Sequence, residues 1–262
     1  MGNYKLLFLD IDGTILRPDN SIEESTKDAV SQLQDNGMEI FLATGRPLHE
    51  IKELAKELKI NSFIGYNGAY GIYHGEDLFQ EPMKAETVEH FLKIVNLYEH
   101  EVVLYTNKSN SWTSIDSAIS KDFMKSFHLH QNEPFSFDIL NEVLGITILN
   151  IKGKERASYD FDKSIHLSQV NVEKYFHCYD VIRDNVNKGF GVKRVLEYLG
   201  IPKESSIAFG DGMNDKEMLL NVGEGFAMGN AHPDLFAYAK HRTTDVNHSG
   251  IYVGLQKLGL VK

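Results

Sequence analysis

Asp10 and Asp12 stand two residues apart in Leu6–Thr14 (LLFLDIDGT), directly after an unbroken apolar run. A short apolar run ending in acid and glycine predicts a buried strand that stops at a sharp turn. Such a strand presents both acids at its carboxyl end, where open parallel sheets bind ligands. A carboxylate beside a second carboxyl group suits phosphoryl transfer. Asp10 is placed to attack phosphorus and form an aspartyl phosphate, and Asp12 to pass a proton to the leaving oxygen. Two further stretches share the layout, IFLATGRP (Ile40–Pro47) and IAFGDGMND (Ile207–Asp215). As parallel strands of one sheet, the three runs would bring Asp10, Asp12, Thr44, Asp211, Asn214 and Asp215 to one crevice.

Carboxylates gathered this closely raise one another's pKa, and a divalent cation removes the conflict. An all-oxygen ligand set without clustered His or Cys favours a hard ion, and Mg²⁺ is the expected one beside phosphate. Asp10 and Asp211 are the expected carboxylate ligands, with the backbone carbonyl of Asp12 as a third. Asp215 either binds the ion directly or orients a ligand or water around it. Thr44 and the Gly45 amide at a helix start can donate to a phosphate oxygen. Lys188, also at a helix start, supplies positive charge, and Ile11 and Asn214 complete the candidate phosphate contacts.

The elements that must hold these residues follow from periodicity. Ser21, three before Glu24, predicts a capping box opening a helix that ends at Asn36–Gly37. Pro47 fits a first helical turn, and Ile51, Leu54, Ala55 and Leu58 mark one buried helix face. Phe63–Ile64 is a third strand, ending in Asn67–Gly68, which reads as a turn at the same crevice. Strand alternating with helix predicts an α/β fold, a Rossmann-like doubly wound parallel sheet. From about Pro82 the pattern changes: a helix over Glu86–Tyr98, strands at Val102–Tyr105 and Trp112–Ile115 around Asn107–Asn110, and a helix over Ile119–Phe127. A β-rich return through Val143–Ile151 and Tyr179–Arg183 completes an inserted α+β module. The predicted division is a core of residues 1–82 and 184–262 with a cap of residues 83–183. The core resumes with a helix face at Val192, Val195, Leu196 and Leu199 that Gly200 ends. A helix starting near Gly250 closes the chain.

Composition excludes several duties. The chain has 262 residues and a formal charge of −10, so no basic surplus offsets repulsion from nucleic acid or anionic membranes. Any positive charge at a phosphate site must therefore be local. One cysteine, Cys178, permits no internal disulfide and reads as a buried strand thiol. No apolar stretch approaches the length of a membrane span. The amino-terminal run is too short for a signal peptide, and Gly2 lacks the Ser or Thr that a myristoylation signal wants, because Leu6 stands there. A cytoplasmic location is expected. His128 and His130 read as exposed rather than ligating, Trp112 and Tyr105 as packing residues, Arg46 as a surface pair, and Glu23 and Glu24 as first-turn helix charges.

Taken in order, the motifs resemble those of the haloacid dehalogenase-type phosphatases, specifically the Cof-like members with a type IIB cap. DxDxT matches Asp10–Thr14, the Thr after a strand matches Thr44 in ATGRP, the Lys before a helix matches Lys188 in NKG, and GDGxND matches Gly210–Asp215. Asn247–Gly250 matches a carboxyl-terminal NxxG common in Cof-like members. The resemblance implies a two-step mechanism in which Asp10 attacks while Asp12 first protonates the leaving group and then deprotonates water. It implies a Mg²⁺-dependent phosphatase of small phosphorylated metabolites, such as a sugar phosphate, nucleotide or cofactor phosphate. The alternatives are a phosphomutase of the same fold and a phosphometabolite-binding regulatory protein. An acid at position 12, where related ion-pumping ATPases carry Thr, favours a phosphatase or mutase. A P-loop kinase is excluded by the lack of GxxxxGK[ST]. The oligomeric state is not legible.

Overall fold

The computed structural model describes residues 4–170 and 172–262; Gly2 lies outside them. Taken in order, the chain forms β1 (Leu6–Leu9), α1 (Glu24–Asp35), β2 (Glu39–Ala43), α2 (Lys52–Glu57), β3 (Phe63–Gly65), β4 (Tyr70–Tyr73) and β5 (Glu76–Gln80). There follow α3 (Ala85–Leu97), β6 (Glu101–Tyr105), β7 (Asn110–Trp112), α4 (Ala118–Ser126), β8 (Asn132–Pro134), β9 (Gly145–Leu149), β10 (Ile165–Gln169) and β11 (Tyr179–Arg183). The chain ends with α5 (Lys188–Leu199), β12 (Ser206–Gly210), α6 (Lys216–Leu220), β13 (Glu224–Ala227), β14 (His241–Arg242) and α7 (Gly250–Lys257).

Two compact units result. The first joins residues 1–46, 52–79 and 186–262, and the second joins residues 47–51 and 80–185. In the first, the strand order is β14-β13-β12-β1-β2-β3-β4-β5. Every pairing from β14 to β3 is parallel, and β4 turns antiparallel to β3. β1 is central: successive strands leave it on one side through β2 and β3, and on the other through β12 and β13. That reversal opens a crevice at the carboxyl end of β1, the place where such sheets take ligands. All four β1 residues have no exposed surface, which explains an uninterrupted apolar run where a half-exposed strand would alternate. Phe8, Phe41 and Ala208 pack with Val192, Val195 and Leu196 of α5 on one face of this sheet.

The second unit is a sheet in the order β10-β11-β9-β6-β7-β8. One face holds Val102, Leu104, Ile146, Ile148 and Val181 against α3. The other holds Val103, Leu149 and Trp112 against Phe123 of α4, Tyr175 and Cys178.

Several local expectations need correcting. Ser21 does not cap α1; its hydroxyl bonds Asp19 instead, and Glu23 occupies the cap position without a side-chain cap bond. Glu23 is no simple helix-end charge, because it accepts from Arg17, from Ser25 at 2.9 Å and from Ser249 at 2.8 Å. β7 begins at Asn110 and ends at Trp112, so Thr113–Ile115 lie outside it. Cys178 is fully buried but sits just ahead of β11 rather than in it. The pair β4 and β5 extends the first sheet beyond the parallel strands that the sequence suggests. Among the described residues, no helix is long and apolar enough to cross a membrane.

Candidate active site

The buried end of β1 carries a cluster of opposite charges. Asp10 is 5% exposed, and Lys188 and Asp215 are 0% exposed. Lys188 Nζ donates to Asp10 Oδ1 and, at 2.5 Å, to Asp215 Oδ1. Lys188 opens α5, whose first turn is capped by Asn187 Oδ1 accepting from Phe190 N at 2.9 Å. An ammonium at a helix amino terminus opposes the helix dipole; the two carboxylates offset that. Asp215 Oδ2 accepts from the backbone amides of Asp211 and Gly212, both at 3.0 Å, and so fixes the loop after β12.

Asp211 faces this cluster. Its Oδ1 accepts from Thr14 Oγ1 at 3.2 Å, and its Oδ2 accepts from Asn230 Nδ2 at 3.3 Å. The approach of the β1 loop to Asp211 depends on Gly13. Its φ is +82°, and a Cβ there would lie 2.3 Å from Asp211 Oδ2. A side chain is thus barred both by backbone conformation and by space.

Carboxylate oxygens of Asp10, Asp211 and Asp215 lie within 4.8 Å of one another. Burial, then the Asp215 carboxylate, pushes the Asp10 carboxyl well above its ordinary range, against the pull of Lys188. Burial and Asp215 likewise push Asp211 up to about 6. Burial alone would pull the Lys188 ammonium down, but Asp10 and Asp215 together push it up, so it stays charged. Three carboxylates therefore face one ammonium, which leaves a formal double negative charge that a single dication would balance. The donors are all oxygen, so the residues fit a hard divalent ion.

Asp12 is exposed and held by Arg46 through a two-pronged pair: Nε donates to Oδ2 at 2.8 Å and Nη2 donates to Oδ1. Such a fork fixes both the position and the plane of a carboxylate. Arg46 is therefore more than a surface pair. Thr44 is 1% exposed, and its hydroxyl oxygen accepts from Arg46 N at 3.0 Å, which leaves its own proton to donate. Gly45 is exposed beside it, and Asn214 is exposed at the end of the β12 loop. Ile11 is fully buried, and its carbonyl accepts from Ile15 and Leu16 at 3.0 and 2.8 Å to form the turn after β1. The structure thus gathers Asp10, Asp211, Asp215 and Lys188, and ties Asp12 to the Thr44 loop through Arg46. Thr14, which closes the DxDxT match, and Asn230, which nothing in the sequence pattern singles out, also hold Asp211.

The residues expected to stay out of such a site are placed as follows. His128 and His130 are exposed. Trp112 is 1% exposed, with Nε1 donating to Asn132 Oδ1 at 2.9 Å. Burial pushes the Cys178 thiol up to about 11.

A family model for haloacid dehalogenase-like hydrolases matches residues 7–255. YkrA of Bacillus subtilis (strain 168) is 33% identical, over 98% of this chain and 99% of its own. The 5-amino-6-(5-phospho-D-ribitylamino)uracil phosphatase YitU of the same organism is 27% identical, over 92% of each chain. The solved structure of the haloacid dehalogenase subclass IIB sugar phosphatase BT4131 superposes with a TM-score of 0.82 at 26% identity, covering 98% of this chain and 100% of that one. The resemblance read from the four motifs is borne out, and this chain is a phosphatase-type enzyme of the haloacid dehalogenase-like hydrolase family.

Proposed function

We propose that the chain hydrolyses phosphomonoesters of small metabolites through an aspartyl phosphate on Asp10. The observation that carries this reading is the buried contact of Asp10 with Lys188, with Asp211 facing it and a second acid two residues on. An Asp10 oxygen forms a bond to phosphorus as the bond from phosphorus to the ester oxygen breaks. Asp12 gives its proton to that leaving oxygen. In the second step Asp12 takes a proton from water, the water oxygen bonds to phosphorus, and the bond from Asp10 to phosphorus breaks, which releases inorganic phosphate. Arg46 holds the Asp12 carboxylate in one orientation between the two proton transfers. Thr44, the Gly45 amide, Lys188 and Asn214 donate to phosphoryl oxygens, and the Ile11 backbone lines the same turn.

Asp10, Asp211 and the Asp12 carbonyl would hold a divalent ion, with Mg²⁺ preferred for its habit of pairing carboxylates with phosphate oxygens. When bound, such an ion supplies charge neutralisation between nucleophile and phosphate dianion. Both Asp215 oxygens are committed to Lys188 and to two backbone amides, so in this reading it orients Asp211 rather than ligating. The substrate class is a phosphorylated sugar or polyol: BT4131 is named a sugar phosphatase, and YitU is named for a phosphoribityl compound.

The test is phosphate release from a panel of sugar, polyol, nucleotide and cofactor phosphates, with Mg²⁺ or chelator, beside Asp10→Asn. Release that needs the metal and disappears in Asp10→Asn is expected. Phosphate exchange between substrate positions without net release would indicate a mutase. Binding without either would indicate a regulatory protein.

A further inference from the structure

Between β3 and β4, three consecutive residues have left-handed backbone: Tyr66 at φ 51°, Asn67 at 52° and Gly68 at 99°. Left-handed φ is uncommon for residues with a Cβ, more so for an aromatic one. Such conformations persist only where surrounding structure insists on them, and they cluster at functional sites. Here the surroundings are the site's own loops. Tyr66 N donates to the Arg46 carbonyl at 3.3 Å, and Asn67 N donates to the Thr44 carbonyl at 3.0 Å. Gly68 presses on the start of α5 so closely that a Cβ would lie 2.0 Å from the Asn187 carbonyl oxygen.

The Asn67 side chain links two candidate phosphate contacts. Its Oδ1 accepts from Asn214 Nδ2 at 3.1 Å. The same carboxamide lies over Gly45, where an added Cβ would come within 3.0 Å of Oδ1 and 3.1 Å of Nδ2. Asn214 is exposed, so without this bond its amide would rotate among several directions. One of its amide hydrogens is spent on Asn67, which fixes where the other points.

We propose that Asn67 is a positioning residue for phosphoryl transfer: its carboxamide orients Asn214 and shapes the space over the Gly45 amide. This rests on the phosphatase reading given above. A turn whose only task was to seal β3 against α5 would need left-handed backbone at position 67, which asparagine adopts readily, but no bond from that carboxamide to Asn214.

The experiment compares phosphate release by Asn67→Gly, Asn214→Ala and the double variant, with inorganic phosphate binding measured by calorimetry on each. Glycine adopts left-handed backbone freely, so Asn67→Gly deletes the carboxamide and leaves the loop. If Asn67 acts through Asn214, Asn67→Gly lowers kcat/KM about tenfold, the worth of one well-placed hydrogen bond. The melting midpoint stays at the wild-type value and phosphate binding weakens. The double variant is then no slower than Asn214→Ala alone, within about twofold. Fully additive losses, or an Asn67→Gly enzyme with wild-type kcat/KM and phosphate affinity, would overturn the positioning role alone. A wild-type protein that neither releases nor binds phosphate would overturn the phosphatase reading, and this role with it.

Discussion

Two desolvated carboxylates, one in each unit, are handled in opposite ways. In the first unit Asp215 has no exposed surface and meets a lysine ammonium and two backbone amides. In the second, Asp180 of β11 accepts from Thr147 Oγ1 at 2.5 Å, and that hydroxyl meets Tyr105 OH at 3.0 Å. Desolvation pushes the Asp180 carboxyl up, with only the Thr147 bond pulling it down. The Tyr105 phenol is pushed up as well, by burial and then by Asp180. Charge near Asp10 is thus partly offset by the Lys188 ammonium, whereas charge on Asp180 is a standing cost. The difference separates carboxylates that share a buried ammonium from one that the sheet merely tolerates.

Substitutions should break the two regions in opposite senses. Lys188→Met leaves Asp10 and Asp215 facing each other without their cation. Loss of one partner of a buried pair costs about 3–5 kcal/mol, to be read in a urea titration, and turnover should disappear with it. An unchanged midpoint would mean that the ammonium contributes no stability. Next in size, Arg46→Ala frees Asp12 and should lower kcat about tenfold if Asp12 carries the proton transfers proposed for it. Its partly exposed ion pair is worth under about 1 kcal/mol, so the midpoint should hardly move.

Asp180→Asn should act in the other direction. A carboxyl whose folded pKa is raised binds more protons when folded than when unfolded, so stability falls as pH rises from the unfolded value through the folded one. Asparagine still accepts from Thr147 and carries no charge. The variant should therefore match wild type within about 1 kcal/mol at pH 4 and exceed it at pH 7. A less stable variant at both pH values would show that the charge is used. The smallest effect belongs to Cys178. A buried thiol at about 11 should resist alkylation in the native protein at pH 7.5 and react only after denaturation; rapid native labelling would show that the sheet opens there.

The cluster of Asp10, Asp211 and Asp215 was legible because each of its acids follows an apolar strand, and a buried strand end is visible in a one-dimensional pattern. Partners contributed by other loops were not. Arg46 is 34 residues from Asp12, Thr14 is 197 from Asp211, and Asn230 is 217 from Gly13, whose carbonyl it also bonds. No local period encodes such pairings. β4 and β5 carry no clear strand pattern because glycines and charged residues interrupt Tyr70–Gln80, and β4 is placed by its antiparallel pairing with β3. β7 was misplaced because its first residue is a polar one buried at 0% exposure. Asn110 is satisfied there by Glu50 and the His130 carbonyl, both at 2.7 Å, and by Asn132 at 3.3 Å. Ser21 satisfied a capping pattern on paper, but the nearer Asp19 took its hydroxyl.

The register of the central sheet also sets a timetable for synthesis. Leu6 pairs with Ser206, so 200 residues separate the first strand from one of its two parallel neighbours. At roughly 5–20 residues per second, β1 emerges some 10–40 s before β12 exists. During that interval the strand leading into Asp10 has one unpaired apolar edge, and every strand of the second unit is made before β12 appears. The first unit is therefore completed last around its earliest strand, and a chain cut short before residue 206 would lack Asp211 and Asp215 and leave an open apolar edge prone to aggregation.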